Sequence, residues 1–221
     1  TEHKASHKQD MKQVAWVQQF FRGRLLSELT QEVIAEVGEV KRKETSPSTA
    51  NRYLATIRAI LHRAALDWEW IEKAPFIRLY KEPKRRIRWI EPEQVRTLLN
   101  ELPQHLVDLV KFSLCTGLRK RNVTELEWSQ VDMQRNVAWI HPDQAKARKS
   151  NHISLNATAM EVLSKQIGKH PVRVVTYRGK PIIQVNTKAW YRALKRAGIE
   201  NFRWHDLRHT WASWLTQKGV P

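Results

Sequence analysis

The sequence predicts a mainly helical protein of the α+β class, folded as two domains joined by a basic linker. Apolar residues recur every three or four positions through most of its 221 residues, which is the spacing of amphipathic helices. Strand-like patterns are concentrated between residues 137 and 155, so the sheet is expected to be small and antiparallel. A proline-containing run of cations separates two periodic regions. We therefore expect a helical domain over residues 1–82, a linker over 83–88 and a second domain over 89–221.

The first domain is expected to consist of helices. Residues 11–21 carry apolar side chains at helical spacing, and a second helix is expected to start at residues 29–30. Residues 41–48 are charged and then turn-like, and Ser48 or Thr49 is expected to cap a long third helix. Apolar side chains follow one face of that helix, and its other face is basic. The basic face carries Arg52, Arg58, His62 and Arg63.

Helices also dominate the second domain. Its first helix is expected to begin at Pro92, because acidic side chains flank that proline and favour the N-terminal end of a helix. Two strands are expected at residues 137–140 and 152–155, joined by a basic turn. A third strand is expected at 172–177, followed by a turn at 179–180. Further helices are expected at residues 106–114, 123–128, 158–167, 189–197 and 205–217.

The charge of the chain indicates a nucleic-acid partner. Lysine and arginine total 39 against 22 acidic residues, which gives a formal net charge of +17 and an isoelectric point near 10.3. An excess this large favours binding to a polyanion, and nucleic acid is the best candidate. A membrane is disfavoured, because the sequence has no apolar run of spanning length and no signal-peptide pattern. The single cysteine, Cys115, excludes an intramolecular disulfide and is expected to be a buried side chain in a soluble, cytoplasmic protein.

Two distant segments carry residues suited to holding one phosphodiester. Residues 116–119 read Thr-Gly-Leu-Arg, and the glycine is expected to break the preceding helix and aim Arg119 into a cleft. Residues 205–209 read His-Asp-Leu-Arg-His, where a spacing of three puts His205 and Arg208 on one helix face. A guanidinium group presents a fixed fork of donors that matches two phosphate oxygens. Taken alone, the Gly-Leu-Arg tripeptide is also consistent with an ordinary surface arginine.

Lysines supply the remaining cations of the predicted site. Lys146 lies in the basic turn between the two predicted strands, where a hairpin can lower its ammonium group onto a scissile phosphate. In that position the ammonium group can protonate the leaving oxygen. The alternative is a basic turn that contacts only backbone phosphates. Contacts to DNA are expected from Lys84, Arg85, Arg86, Arg148 and Lys149.

A metal site is the competing interpretation of the histidines. His205 and His209 stand four residues apart, a spacing that can place two metal ligands on one helix face. The metalloprotease pattern has glutamate after the first histidine, where this chain has Asp206. No convincing third ligand is present in the sequence. We therefore expect no metal and no other cofactor.

The ordered set of motifs resembles the tyrosine recombinase family, and phage and prophage integrases in particular. Thr-Gly-Leu-Arg at residues 116–119, a hairpin lysine at Lys146 and His-x-x-Arg within residues 204–210 occur in the order typical of that family. The segments 122–132 and 141–146 strengthen the resemblance, which extends from about residue 12 onward. Each motif alone is weak, whereas the ordered set is strongly characteristic.

The resemblance implies a fold and a role for each site residue. It implies an N-terminal helical core-binding domain that clamps DNA, followed by the tyrosine-recombinase catalytic domain. Arg119 and Arg208 match the pair of arginines that holds the scissile phosphate. Lys146 matches the hairpin lysine that acts as general acid, and His205 matches the histidine that assists proton transfer.

The sequence departs from the family pattern at two places. Asn122 stands where many members have glutamate, a difference expected to change a supporting hydrogen bond but not the chemistry. The family's nucleophilic tyrosine follows the His-x-x-Arg motif, and no tyrosine follows that motif here. We therefore expect a chain truncated before its nucleophile, which binds DNA without cutting it. The tyrosines present are Tyr53, Tyr80, Tyr177 and Tyr191.

The implied reaction is transesterification through a 3′-phosphotyrosyl intermediate, with release of a 5′-hydroxyl that later serves strand exchange. The implied partners are double-stranded DNA at a specific attachment site and further copies of the chain, as a tetramer. The implied location is the bacterial cytoplasm, in association with the nucleoid. Two alternatives remain, a DNA-binding protein without catalysis and a strand-passage enzyme like the type IB topoisomerases. RNA binding is disfavoured, because the sequence lacks the aromatic motif of ribonucleoprotein domains.

Overall fold

The computed structural model describes residues 6–83, 87–144 and 150–220. The chain divides into two units, residues 1–85 and 86–221. The described residues are mainly helical and include small antiparallel sheets, which confirms the predicted fold class. Across these three ranges, no helix is both long and apolar enough to cross a membrane.

The described part of the first unit has three α-helices, α1 His7–Phe21, α2 Gln31–Glu44 and α3 Pro47–Leu66. Side-chain caps begin the second and third helices. The hydroxyl oxygen of Thr30 accepts the backbone N–H of Val33 at 3.4 Å, and that of Ser46 accepts the N–H of Thr49 at 3.3 Å. The apolar faces pack into one core, formed by Val17, Leu29, Ile34, Val37, Leu54, Ile57, Leu61 and Ile77.

The long helix of this unit begins earlier than predicted. The sequence predicted a turn over residues 41–48 with a cap at Ser48 or Thr49. Instead, α2 continues to Glu44 and α3 begins at Pro47. A proline suits the first turn of a helix, because the N–H at that position has no acceptor within the helix. The predicted turn therefore shrinks to the two residues between the helices.

The helices of the second unit are α4 Pro92–Glu101, α5 Gln104–Thr116, α6 Lys120–Thr124, α7 Ala157–Ser164, α8 Lys188–Arg196 and α9 Asp206–Gln217. Its described strands are β1 Val131–Asp132, β2 Val137–Ile140, β3 Asn151–Ser154, β4 Thr176–Tyr177 and β5 Lys180–Pro181. The first three strands form an antiparallel sheet in the order β1-β2-β3. Val137 pairs with Ser154 and Ile140 with Asn151, so the predicted hairpin is present, with its second strand one residue earlier.

The helix predicted over residues 123–128 was wrong. The observed helix α6 ends at Thr124, and the chain beyond it pairs with a distant segment. The backbone N–H of Trp128 donates to the carbonyl oxygen of Val172 at 2.9 Å. Because this backbone is used in tertiary hydrogen bonds, it cannot continue the helical ladder.

The third strand predicted over residues 172–177 was also wrong in extent and position. Only β4 is a strand, and it pairs with β5 in a separate two-stranded sheet. The connecting turn is formed by Arg178 and Gly179, with φ angles of 52° and 74°. Two successive residues at positive φ form the tight turn that suits a short hairpin. The third strand of the larger sheet is β1, which the sequence pattern did not predict.

Helix α5 runs through the core of the second unit. Leu106, Leu109, Val110 and Phe112 are each at most 1% exposed. The helix packs against α7 and α9, as expected for a helix that is apolar on several faces. Gly117 and the residues after it are therefore attached to a helix that is fixed in the core.

Candidate functional site

Gly117 ends α5 and directs the chain towards Arg119. Its backbone is left-handed, with φ 61° and ψ 15°, and its N–H closes the last turn of the helix. The buried hydroxyl of Thr116 donates to the carbonyl oxygen of Phe112 at 2.7 Å and accepts the N–H of Leu118 at 3.4 Å. Arg119 then adopts an extended conformation and becomes the N-terminal cap residue of α6. The sequence at this point breaks one helix and places a guanidinium group at the start of the next.

His205 and Arg208 lie at the start of α9. His205 is the N-terminal cap residue, and Arg208 lies in the first turn of the helix. The turn that leads into the helix is closed by the backbone N–H of Arg203, which donates to Oδ2 of Asp206 at 2.8 Å. Asp206 is buried, and this hydrogen bond stabilises the backbone that presents His205 and Arg208.

Arg208 joins the two motifs. Its Nη1 donates to the carbonyl oxygen of Gly117, 91 positions earlier in the sequence, and this contact brings it beside the segment that ends in Arg119. Both arginines are half-buried. Neither of them forms an ion pair with a residue of the described ranges. Partly desolvated cations without a carboxylate partner favour binding of an anion.

Burial and neighbouring positive charges together lower the pKa of two groups at the site. Burial lowers the pKa of Arg208 from its usual value, and the positive charge of Arg119 lowers it further. Burial is also the largest cause that lowers the pKa of His205, followed by the charges of His209 and Arg208, while Asp206 acts in the opposite direction. An anion bound among these groups removes the repulsion. The electrostatics therefore match a phosphate better than a cation.

The structure brings together three of the predicted catalytic residues, Arg119, His205 and Arg208. Lys146, the predicted general acid, lies in the loop between β2 and β3, outside the described residues. The other predicted DNA contacts also lie outside the described residues; they are Lys84, Arg85, Arg86, Arg148 and Lys149.

The histidines of α9 do not form part of a recognisable metal centre in the described ranges. The rings of His205 and His209 lie 5.1 Å apart, centroid to centroid, and are nearly perpendicular. Among the described residues, no group of three or more histidine, cysteine, aspartate or glutamate side chains is arranged to hold a metal ion. Cys115 is half-buried, and burial raises the pKa of its thiol, which disfavours the thiolate form that metals and electrophiles require.

The sequence did not identify Thr210, a buried residue of α9 that bonds to the backbone of Asp206 and of Ile90. It is fully buried, donates to the carbonyl oxygen of Asp206 at 2.9 Å and accepts the backbone N–H of Ile90 at 3.3 Å. The segment that leads into α4 is thereby tied to the helix that carries Arg208. No periodic signal identifies such a residue, because its partner lies 120 positions away.

A cavity of about 610 Å³ lies at the other end of α5 and does not include the site. Its lining includes His105, Asp108 and Tyr177. The carboxylate of Asp108 accepts hydrogen bonds from the side-chain amides of Gln104 and Gln166, each at 3.0 Å. This carboxylate is therefore already bonded to protein amides, so the cluster of Arg119, His205 and Arg208 is the better candidate for chemistry.

Comparison with known proteins identifies the family to which the chain belongs. The model of the phage integrase family matches residues 88–221. The integrase of Salmonella phage P22 is 46% identical over 195 residues, a match that covers 82% of this chain and 50% of that protein. The shufflon-specific DNA recombinase of Escherichia coli is 24% identical over 222 residues, covering 94% of this chain and 56% of that protein.

Two solved structures share the fold. The crystal structure of a lambda integrase dimer bound to a COC′ core site matches with a TM-score of 0.78 at 18% identity, covering 97% of this chain and 84% of that chain. The Tn1549 transposon integrase in complex with a circular intermediate DNA matches with a TM-score of 0.80 at 16% identity, covering 99% and 84%. At these identities the likeness concerns the fold alone.

The chain spans about half the length of the curated relatives it matches, such as the integrases of phages P22 and 186. The family model nevertheless covers more than half of this chain and includes the segments that carry both arginines. The identity to the P22 integrase extends over most of the chain. The chain therefore belongs to the phage integrase family of tyrosine recombinases.

Proposed function

We propose that this protein is a site-specific DNA recombinase that exchanges strands by transesterification. One observation carries the proposal. Two half-buried arginines from distant segments, Arg119 and Arg208, lie close together beside His205 without a carboxylate partner among the described residues. A DNA phosphodiester supplies the anion that this arrangement favours. Membership of the phage integrase family supports the same reaction.

In this proposal the residues of the chain stabilise the phosphate and move protons. Arg119 and Arg208 bind the non-bridging oxygens and neutralise the charge that develops during attack on phosphorus. The attacking tyrosine hydroxyl gives its proton to His205, whose lowered pKa favours the neutral form that can accept it. As the bond from phosphorus to tyrosine oxygen forms, the bond to the 5′ oxygen breaks, and Lys146 gives that oxygen its proton. The product is a 3′-phosphotyrosyl bond and a free 5′-hydroxyl.

None of the four tyrosines of this chain is assigned as the nucleophile. Tyr53 and Tyr80 belong to the first unit, where the hydroxyl of Tyr80 lies 3.4 Å from a carboxylate oxygen of Glu39. Tyr177 stacks on His105, with ring centroids 4.1 Å apart, at the end of α5 opposite Gly117. Tyr191 lies on α8, earlier in the chain than the His-x-x-Arg motif.

The proposed partner is double-stranded DNA at a specific attachment site, bound by several copies of the chain and finally by a tetramer. The net charge of +17 supports the DNA partner. Structural relatives support both features, since lambda integrase has been solved as a dimer on a core site and as a tetramer bound to a Holliday junction. The first unit is proposed to clamp the duplex, and the reaction is proposed to occur in the bacterial cytoplasm, at the nucleoid. Further phosphate contacts are proposed for Lys84, Arg85, Arg86, Arg148 and Lys149.

Substitution of each arginine tests the proposal. Arg119→Ala and Arg208→Ala are each expected to weaken binding of a fluorescently labelled duplex about tenfold, because each removes charge-assisted hydrogen bonds to phosphate. Fluorescence anisotropy measures the affinity. Arg192→Ala, on the exposed surface of α8, removes the same charge and is expected to change the affinity by about twofold or less. Wild-type affinity in both Arg119→Ala and Arg208→Ala would refute the proposed phosphate site.

A further inference from the structure

We infer that Trp211 is a positioning residue of the phosphate site, which holds the Arg208 guanidinium group in place beside Arg119. The inference rests on the proposed function and concerns how the site is kept in order. Trp211 lies on α9, one turn after Arg208. Its side chain is half-buried.

The indole of Trp211 lies directly against the backbone at Gly117. A Cβ atom added to Gly117 would lie 2.3 Å from both Cδ2 and Cε3 of the indole, far inside van der Waals contact. These are ring atoms of a rigid side chain, and they cannot move aside as the end of a flexible chain can. Glycine is therefore required here for two reasons, its left-handed φ of 61° and the indole that occupies the side-chain space.

The same indole lies beside the guanidinium group of Arg208. The Cζ atom of Arg208 is 6.0 Å from the centroid of a Trp211 ring, at the outer range of a cation–π contact. The Nη1 atom of Arg208 donates to the carbonyl oxygen of Gly117. Three contacts therefore connect Trp211, Gly117 and Arg208 to one another. Arg119 lies two residues after Gly117 in the sequence.

The contact of Trp211 with Arg208 can keep the site ordered in the absence of a ligand. Burial lowers the pKa of Arg208, and the nearby positive charge of Arg119 lowers it further. Without a phosphate between them, the two guanidinium groups repel each other, and a long side chain at the protein surface tends to turn towards water. A rigid indole against one side of Arg208 limits that movement. The site is then ordered before the phosphate arrives, which reduces the entropy lost on binding.

The alternative is that Trp211 only packs α9 against α5. Trp214 offers a matched control, because it is also a half-buried tryptophan of α9 and packs against the core of the second unit. A purely structural role predicts the same effects for Trp211→Ala and Trp214→Ala. A positioning role predicts that only the first affects phosphate binding by the folded protein.

The experiment uses the 221-residue chain and three readouts for each variant. Urea unfolding gives stability, anisotropy gives the affinity for a labelled duplex, and the ¹⁵N-detected Nε–Hε signal of Arg208 is followed as inorganic phosphate is added. Trp211→Ala is expected to weaken duplex binding about as much as Arg208→Ala, about tenfold, and to reduce the response of the Arg208 signal. Trp211→Phe, which keeps an aromatic face, is expected to restore most of both. Trp214→Ala is expected to lower stability and to leave both binding readouts unchanged.

The combination of Trp211→Ala with Arg208→Ala separates the inference from the proposed function. If Trp211 acts through Arg208, the double variant binds DNA no more weakly than Arg208→Ala alone. Independent losses that add together would overturn the inference and leave the phosphate site intact. Wild-type binding by Arg208→Ala would overturn the inference, and wild-type binding by both Arg119→Ala and Arg208→Ala would overturn the proposed site as well. If Trp211→Ala does not fold, Trp211→Leu replaces it, and a normal Arg208 response in that variant would refute the role of the aromatic face.

Discussion

Gly117 is the residue on which the geometry of the site depends most. It allows α5 to end in a left-handed turn, leaves room for the Trp211 indole and offers its carbonyl oxygen to Arg208. A side chain at this position therefore disturbs both the backbone and the packing between α5 and α9.

Gly117→Ala is expected to lower the free energy of unfolding by about 2–5 kcal/mol, the sum of a left-handed alanine and an overpacked contact. Gly168→Ala is the matched control, because Gly168 also has a positive φ, 79°, but has open space where a Cβ would lie. It is expected to cost about 1–2 kcal/mol. Urea unfolding measures both values. Equal losses in the two variants would contradict the close contact with Trp211.

The lowered pKa of His205 predicts a dependence of stability on pH. Burial and neighbouring positive charges disfavour the imidazolium form in the folded protein, so the unfolded chain takes up the proton first as the pH falls. His205 therefore contributes its full share of stability above pH 6.5, its pKa in the unfolded chain. That contribution is lost as the pH falls below 6.5 towards the lower pKa of the folded protein. His205→Asn is expected to flatten the rise of stability with pH between about pH 5 and 7. An unchanged slope would show that His205 is not perturbed.

At the scale of elements, the basic linker is expected to contact the phosphate backbone. Replacing Lys84, Arg85 and Arg86 together by alanine is expected to reduce the slope of log affinity against log salt by up to about 2.7, since each phosphate contact contributes about 0.9. The matched control removes three cations that are already paired with acidic side chains, Arg96, Arg135 and Lys165. Affinity measured by anisotropy across a salt series compares the two. An equal fall in slope for both triple variants would mean that only net charge matters.

The elements were predictable from the sequence where the local signal dominates. Apolar spacing identified most helices, and alternation identified the β2-β3 hairpin. The errors lie where tertiary hydrogen bonds determine the secondary structure. The helix expected over 123–128 is shorter because its last residues bond to the backbone near Val172, and the strand expected over 172–177 loses residues to the same pairing. Such pairing has no counterpart in local periodicity.

The candidate site was predictable to a different extent. Arg119, His205 and Arg208 were identified from motif chemistry, and the structure places them together. Thr210 and Trp211 were not, because their roles arise from contacts with Ile90 and Gly117, which lie far away in the sequence. The residues proposed to bind the phosphate have a recognisable chemistry, whereas the residues proposed to position them are identified only by their contacts in the structure.

At the scale of the whole molecule, the chain has a strong positive net charge and the proposed phosphate site, but no tyrosine follows His205 in its sequence. Charge and positioning accelerate a reaction but do not replace the attacking oxygen. We therefore expect the 221-residue chain to bind DNA and to form no covalent adduct with a nicked suicide substrate, as judged by denaturing electrophoresis. A covalent band from this chain alone would mean that Tyr53, Tyr80, Tyr177 or Tyr191 is a nucleophile.

The central claim is that Arg119 and Arg208 hold the same phosphate, and a double-mutant cycle on DNA affinity tests it most directly. Two residues that share one phosphate are coupled, so the loss in the double variant is expected to be smaller than the sum of the single losses by about 1 kcal/mol or more. The affinities of the wild type, the two single alanine variants and the double variant for one labelled duplex give the coupling. If the two losses simply add, the arginines bind different phosphates, and the proposed site is wrong.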